Sequence, residues 1–230
     1  MSSQSLPPIE ASVAQFPARA WFHILFAPRR IFKLILASAP KRHIYLLAAL
    51  SGFNAALLRL LSKAPGILAA MDMTGSIFFF IPVVIVGIIF GPLCGVMVLH
   101  IHAFFVEWTG RCIGGKSESV GVLSALGWSY AVSVYEFFFC CAFGSLFITS
   151  FFLGWPPSEL IRLSLAIGLS IGFFGLLIWG FIIRAVTLSE AQQFSVWKGF
   201  LNLFLGFIMI SVCIGGPIAL VSLIIIFLLK

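Results

Sequence analysis

The chain has 230 residues, of which 61% are apolar and 9% charged, and its net charge is +7. A soluble domain carries about 25% charged residues, so this composition excludes an ordinary soluble domain and requires a bilayer. The Lys and Arg residues form no patch on a soluble platform, which argues against nucleic-acid binding and fits the positive-inside bias of membrane proteins.

Residues 1–15 are rich in Ser, Pro and Ala and are expected to form a mobile tail. Residues 16–43 read FPARAWFHILFAPRRIFKLILASAPKRH. Apolar runs alternate with Arg19, Arg29, Arg30, Lys33, Lys41 and Arg42, and Pro28 and Pro40 punctuate the stretch. This pattern predicts two short amphipathic helices lying in the membrane interface. Trp21 and Phe22 are expected at headgroup depth, with the basic residues toward lipid phosphates. The run PRRIFKLILASA also looks like a signal sequence. Its apolar core is too short, Lys33 interrupts it, and cleavage is not expected.

Five apolar spans follow, at about 44–61, 76–106, 126–153, 160–183 and 200–228. Each reaches or nearly reaches the roughly 20 residues needed to cross the hydrocarbon core. The second and fifth are longer and must tilt, kink or extend past it. Pro82, Gly91-Pro92 and Gly215-Gly216-Pro217 are the expected kink points. The fold class is therefore all-α: a polytopic membrane protein whose residues 44–230 form a five-span domain behind the interfacial segment.

Basic residues set the orientation. Six lie in the amino-terminal segment, with Arg111, Lys116, Arg184 and Lys198 on the same side. Arg59, Lys63, Arg162 and Lys230 lie on the other. Ten against four places the amino terminus in the cytoplasm and the carboxy terminus outside. The membrane expected is the bacterial inner membrane.

The stretch Gly110 to Ser117, GRCIGGKS, matches the phosphate-binding pattern G-x-x-x-x-G-K-[ST] at every position. A working phosphate loop joins a buried strand to a helix N-terminus and needs a metal-binding acid on a second strand. Here an apolar helix precedes Gly110, and the single Asp, Asp72, falls on the outer side. Nucleotide is not expected as a partner. The stretch reads instead as a tight cytoplasmic turn, with Gly110, Gly114 and Gly115 supplying positive φ angles. Arg111 and Lys116 then sit at headgroup level, and the turn can contact a phosphate headgroup or a protein partner.

Glu136 lies about ten residues, roughly 15 Å, into the third span. A charge at that depth costs about 2.5–3.5 kcal/mol, so Glu136 must be neutral, paired or facing a polar cavity. His100 and His102 are two residues apart and point to opposite sides of a helix, so they cannot share a metal; either can approach Glu136 in a proton relay. Asn54 reads as a hydrogen-bonding contact between helices. The five cysteines form no C-x-x-C pair and have no His at ligand spacing, so neither metal nor cofactor is expected. No Ser, His and Asp set can be assembled, so no catalytic residues are assigned and an enzyme is not expected.

The five spans, the basic amphipathic start and the stretch HAFFVEWTGRCIGGKSES resemble the Yip-domain family of Rab-interacting membrane proteins. Gly110, Arg111, Gly114, Gly115 and Lys116 match that family's turn. APRRIFKLI is similar to its first segment, and IWGFIIRAVTLSEAQQFSVWKGF, from Ile178, to its fourth span and following loop. With about 43 residues before the first span, the chain looks like a short prokaryotic member. The resemblance implies a non-enzymatic membrane scaffold or organiser that docks a membrane or cytoplasmic partner. The glycine-rich spans allow a homo-oligomer. The alternative is a small transporter, channel subunit or lipid-moving protein using Glu136 in an intramembrane polar cavity.

Overall fold

The computed structural model describes residues 17–41, 43–70, 73–116, 118–152 and 159–228. The expected mobile tail 1–15, Arg42, Asp72, Ser117 and Lys230 lie outside the described residues. Helices make up nearly all of what is described, and no strand occurs among those residues. In chain order they are α1 Pro17–Phe26, α2 Pro28–Ser38, α3 Ile44–Ala70, α4 Met73–Cys112 and α5 Ser119–Ser129. Then come α6 Val132–Phe152, α7 Glu159–Gln192, α8 Val196–Ile210, a π-helical turn Ser211–Gly215, and α9 Gly216–Leu228.

Four stretches are long and apolar enough to cross a membrane: Val84–Cys112, Ser119–Phe139, Ile167–Gln192 and Val196–Phe227. Ile44–Leu60 is apolar but shorter. The distribution of side chains is the reverse of a soluble protein's. Large apolar groups such as Phe90, Leu93, Phe174 and Phe207 are exposed, whereas Asn54, Gln192 and Asn202 are buried. This is the architecture of an integral membrane protein.

Local chemistry explains the helix limits. The 16–43 stretch forms the two short helices its pattern predicts, parted at Ala27. Pro28 occupies the first turn of α2, where its missing N–H costs nothing. The α4 helix runs unbroken through Pro82 and Pro92 for 40 residues, about 60 Å at 1.5 Å per residue. At Gly215-Gly216-Pro217 the expected irregularity appears as the π turn, in which the Gly216 N–H reaches back five residues to Ser211 O. One expectation is corrected. The fourth and fifth apolar spans, expected to end at about 183 and to start at about 200, are extended by their helices, so that Arg184 and Lys198 are helical: α7 continues to Gln192 and α8 starts at Val196. The stretch after residue 183 has no Gly or Pro until Gly199, and its polar side chains bond inside the fold.

Two compact units are present. The first holds Met1–Lys41, Val98–Leu126 and Ile182–Lys230, and the second Arg42–Met97 and Gly127–Phe181. In the first unit, α1 and α2 bury Ile24, Ile31, Phe32 and Ile35. Glu190 on α7 pairs with Arg29 and Lys33 of α2, so two of the basic residues expected to face lipid phosphate are engaged within the chain. The Ser124 hydroxyl of α5 donates to Pro40 O at 2.7 Å.

In the second unit α3 crosses α4 at Gly52, Gly91 and Gly95. A Cβ on Gly95 would stand 2.8 Å from Gly52 N, so only glycine permits this approach. On α6, Ser133 O accepts the Asn54 amide and Phe137 meets the Phe53 ring at 6.1 Å. Further along, Gly172 of α7 takes the Phe139 ring.

Candidate functional site: the glycine turn and its amide network

The GRCIGGKS stretch is a helix C-terminus. Gly114 N–H donates to Arg111 O at 3.1 Å, and Gly115 N–H to Gly110 O at 2.8 Å. This pair of bonds is the Schellman arrangement, with Gly114 as the residue just past the helix end. Its φ of +90° is the positive value that position requires. Gly110 and Gly115 do not have positive φ, which corrects the expectation for three glycines. Gly110 still belongs to the last turn of α4.

Those two glycines answer to packing. A Cβ on Gly110 would lie 2.6 Å from Gln192 Cδ, and one on Gly115 would lie 2.7 Å from Gln192 Oε1. Gln192 ends α7 and is 1% exposed. Its Nε2 donates to Val106 O at 3.4 Å, and its Oε1 accepts from Asn202 Nδ2 at 3.1 Å. Asn202 Nδ2 also reaches Val106 O at 3.0 Å, and its Oδ1 accepts the Thr109 hydroxyl at 2.5 Å. Asn202 and Thr109 are buried too. Polar groups removed from water must be matched, and this set matches its own.

The end of α7 mirrors the end of α4. Gln193 takes a φ of +56°, and Phe194 N–H donates to Ser189 O at 3.1 Å, five residues back. The Lys116 N–H donates to Gln192 O at 3.2 Å and ties the two helix ends together. Lys198, in the first turn of α8, places its ammonium 3.3 Å from Ile113 O. A cation there complements the negative end of the α4 dipole. Ser195 caps α8 by accepting the Lys198 N–H.

A phosphate loop presents free N–H groups at a helix N-terminus. Here the N–H groups of Ile113, Gly114, Gly115 and Lys116 all donate to carbonyls of the chain, beside a helix C-terminus. What faces outward is side chains: Arg111, paired with Glu107, Cys112, and Lys116, whose ammonium has no partner among the described residues.

The remaining sequence candidates separate by unit. His100 is exposed on α4 in the first unit, whereas Asn54 and Glu136 belong to the second. Asn54 is buried and donates to Ser133 O, one helical turn before half-buried Glu136. Among the described residues no group of three or more His, Cys, Asp or Glu side chains gathers as a metal site would require. Sequence reasoning assigned no role to Gln192, Asn202, Thr109 or Glu190. The available signal was their polarity inside otherwise apolar helices.

An all-helical chain with four helices long enough to span a bilayer, and a glycine turn locked to a buried amide network, is the class defined here. No family model, curated protein or solved structure matches the chain.

Proposed function

We propose that the protein is a five-span, non-enzymatic membrane scaffold of the bacterial inner membrane, related to the Yip-domain family, whose cytoplasmic glycine turn docks a protein partner. Ile44–Leu60 serves as the additional span, continued by the rest of α3 to Ala70. The observation that carries the reading is the way the turn is held. Gln192, Asn202 and Thr109 anchor it from behind, and Arg111, Cys112 and Lys116 are presented in front. A rigid turn with outward side chains and no free backbone donors suits side-chain recognition by a partner better than phosphate capture.

A photo-crosslinking residue at Lys116, in native membranes, tests this. One recurrent protein adduct is the expected result. Lipid adducts alone would overturn the docking reading. A second reading, a small transporter or channel subunit, draws support from the unmet acceptor oxygen of Asn54 inside the second unit.

A further inference from the structure

We propose that the amino-terminal end of α3, with the Trp128 indole beside it, is a binding site for a phosphate group, presented by an anionic phospholipid headgroup or as free phosphate. The inference rests on neither functional reading above and concerns a place apart from the glycine turn. It starts from two buried donors. Trp128 is 2% exposed, and its Nε1–H has no acceptor among the described residues. Ile44, the first residue of α3, is fully buried, and its backbone N–H has no acceptor among the described residues either. The Leu47 N–H closes the first turn of α3 on His43 O at 2.9 Å, so the Ile44 N–H ahead of it has no carbonyl within the helix. An indole N–H and a backbone N–H can only donate, and burying either one unmet is costly.

Both donors belong to one junction in the second unit. Gly127 of α5 packs on Ile44: a Cβ on Gly127 would lie 2.6 Å from Ile44 Cβ and 3.2 Å from Ile44 Cα. The next residue, Trp128, sets its ring at right angles to that of His43, with centroids 6.3 Å apart. His43 is the half-buried residue just ahead of α3. The chain brings no anion of its own to this junction. Between residues 11 and 71, and between 119 and 135, there is no Asp or Glu.

The ligand must therefore supply acceptors, and the surroundings favour a negative charge. Ile44 begins a helix of 27 residues, and the start of a helix is the positive end of its dipole. Lys41 and Arg42 immediately precede His43 in the chain. Cations at the start of an apolar run, here Ile44–Leu60, mark the level of the headgroups. At that level a phosphate offers several oxygens, so that one can accept from Ile44 and another from Trp128. Tyr45 and Leu46, beside Ile44, are exposed and give the site an edge toward lipid. A water also accepts, but it carries no charge for the dipole and the cations to hold. The contrast with the glycine turn is direct. There the N–H groups are spent on carbonyls of the chain, and here two buried ones are not.

Native mass spectrometry of the full chain in detergent tests the site, with three probes: phosphatidylglycerol, the diacylglycerol with the same acyl chains, and inorganic phosphate. The chain is expected to retain phosphatidylglycerol and not the diacylglycerol. Trp128→Phe removes the indole N–H and should weaken that retention about tenfold. Benzothienylalanine in place of Trp128 exchanges the N–H for sulfur in a ring of nearly the same shape. It should weaken retention to the same degree, and it keeps the test open if the Phe variant fails to fold. Competition by inorganic phosphate would show that the phosphate group alone is recognised. Retention of phosphatidylglycerol without competition would show the lipid headgroup to be its source, and phosphate binding without lipid retention would show the free ion to be; each of the three upholds the site. Equal retention of phosphatidylglycerol and diacylglycerol would overturn the proposal, leaving only a contact with acyl chains. Unchanged retention in a folded Trp128 variant would overturn it too, as would binding of neither phosphatidylglycerol nor phosphate.

Discussion

Replacing Gly110 by Ala adds a single methyl group at the point where α4 meets Gln192. That methyl would stand 2.6 Å from Gln192 Cδ, a distance no pair of carbon atoms tolerates. The Gln192 amide is pinned at both ends, to Val106 O and to Asn202 Nδ2, so it cannot retreat without losing those bonds. Overpacking of this kind costs about 1–3 kcal/mol, and a displaced buried amide adds about 1–3 kcal/mol. The helix-propensity gain of Ala over Gly returns about 1 kcal/mol. The net loss is about 1–5 kcal/mol, which corresponds to a fall of roughly 2–20 °C in the unfolding midpoint for a chain of this size. Differential scanning fluorimetry of the protein in nanodiscs reads this directly. The decisive comparison is with Gln192→Ala, which removes the obstructing amide and leaves Asn202 short of a partner. Each single substitution is expected to lower the midpoint, and the double variant to lie above the sum of the two losses. An unaltered midpoint in Gly110→Ala, or strict additivity in the double variant, would refute the packing of Gly110 on Gln192.

Other expectations follow from single positions. Gly114→Ala places a side chain in open space but at a φ of +90°, so it should cost about 1–2 kcal/mol from the backbone alone; the same fluorimetry measures it, and no second-site change at Gln192 should relieve it. Lys116→Ala should leave the unfolding midpoint unchanged with or without added ATP or GTP, and equilibrium dialysis should detect no nucleotide bound to the native chain, because the turn's N–H groups are spent within the fold. Glu190→Gln frees Arg29 and Lys33, whose side chains are 65% and 61% exposed. It should therefore cost no more than about 1 kcal/mol while accelerating tryptic cleavage at Arg29 and Lys33; added salt should bring the native chain toward the variant's cleavage rate. Gly95→Leu should separate α3 from α4, since even a Cβ there meets Gly52 N and Cα, and should abolish recovery of a monodisperse protein on size-exclusion chromatography.

Composition made the membrane class legible, and punctuation made many helix ends legible. Pro28 marked the division of the interfacial segment, and Gly215-Gly216-Pro217 marked the irregularity that the structure shows as a π turn. These features are local, so a reading along the chain can find them. The glycine turn was half legible. Its residues announced a turn, but three glycines were assigned one cause, whereas Gly114 serves a backbone angle and Gly110 and Gly115 serve the side chain of Gln192. Gln192 is 82 positions from Gly110, and Asn202 is 93 from Thr109. Nothing local in a sequence couples residues so far apart, because the coupling is created when the ends of α4 and α7 meet. The run Arg184–Gln192 falls outside the fourth apolar span, 160–183, because charged and polar residues interrupt its hydropathy. Its polar side chains are instead satisfied by Val106, Asn202, Arg29 and Lys33.

Docking of a partner at Gly110–Lys116 requires the α4 C-terminus to face the cytoplasm. Cys112 lies in that segment and is exposed. A chain keeping Cys112 alone, with Cys94, Cys140, Cys141 and Cys213 changed to Ala, should be labelled by a membrane-impermeant maleimide in right-side-out and inside-out vesicles. Labelling confined to inside-out vesicles is expected. Labelling confined to right-side-out vesicles, or equal in both, would contradict a cytoplasmic docking turn.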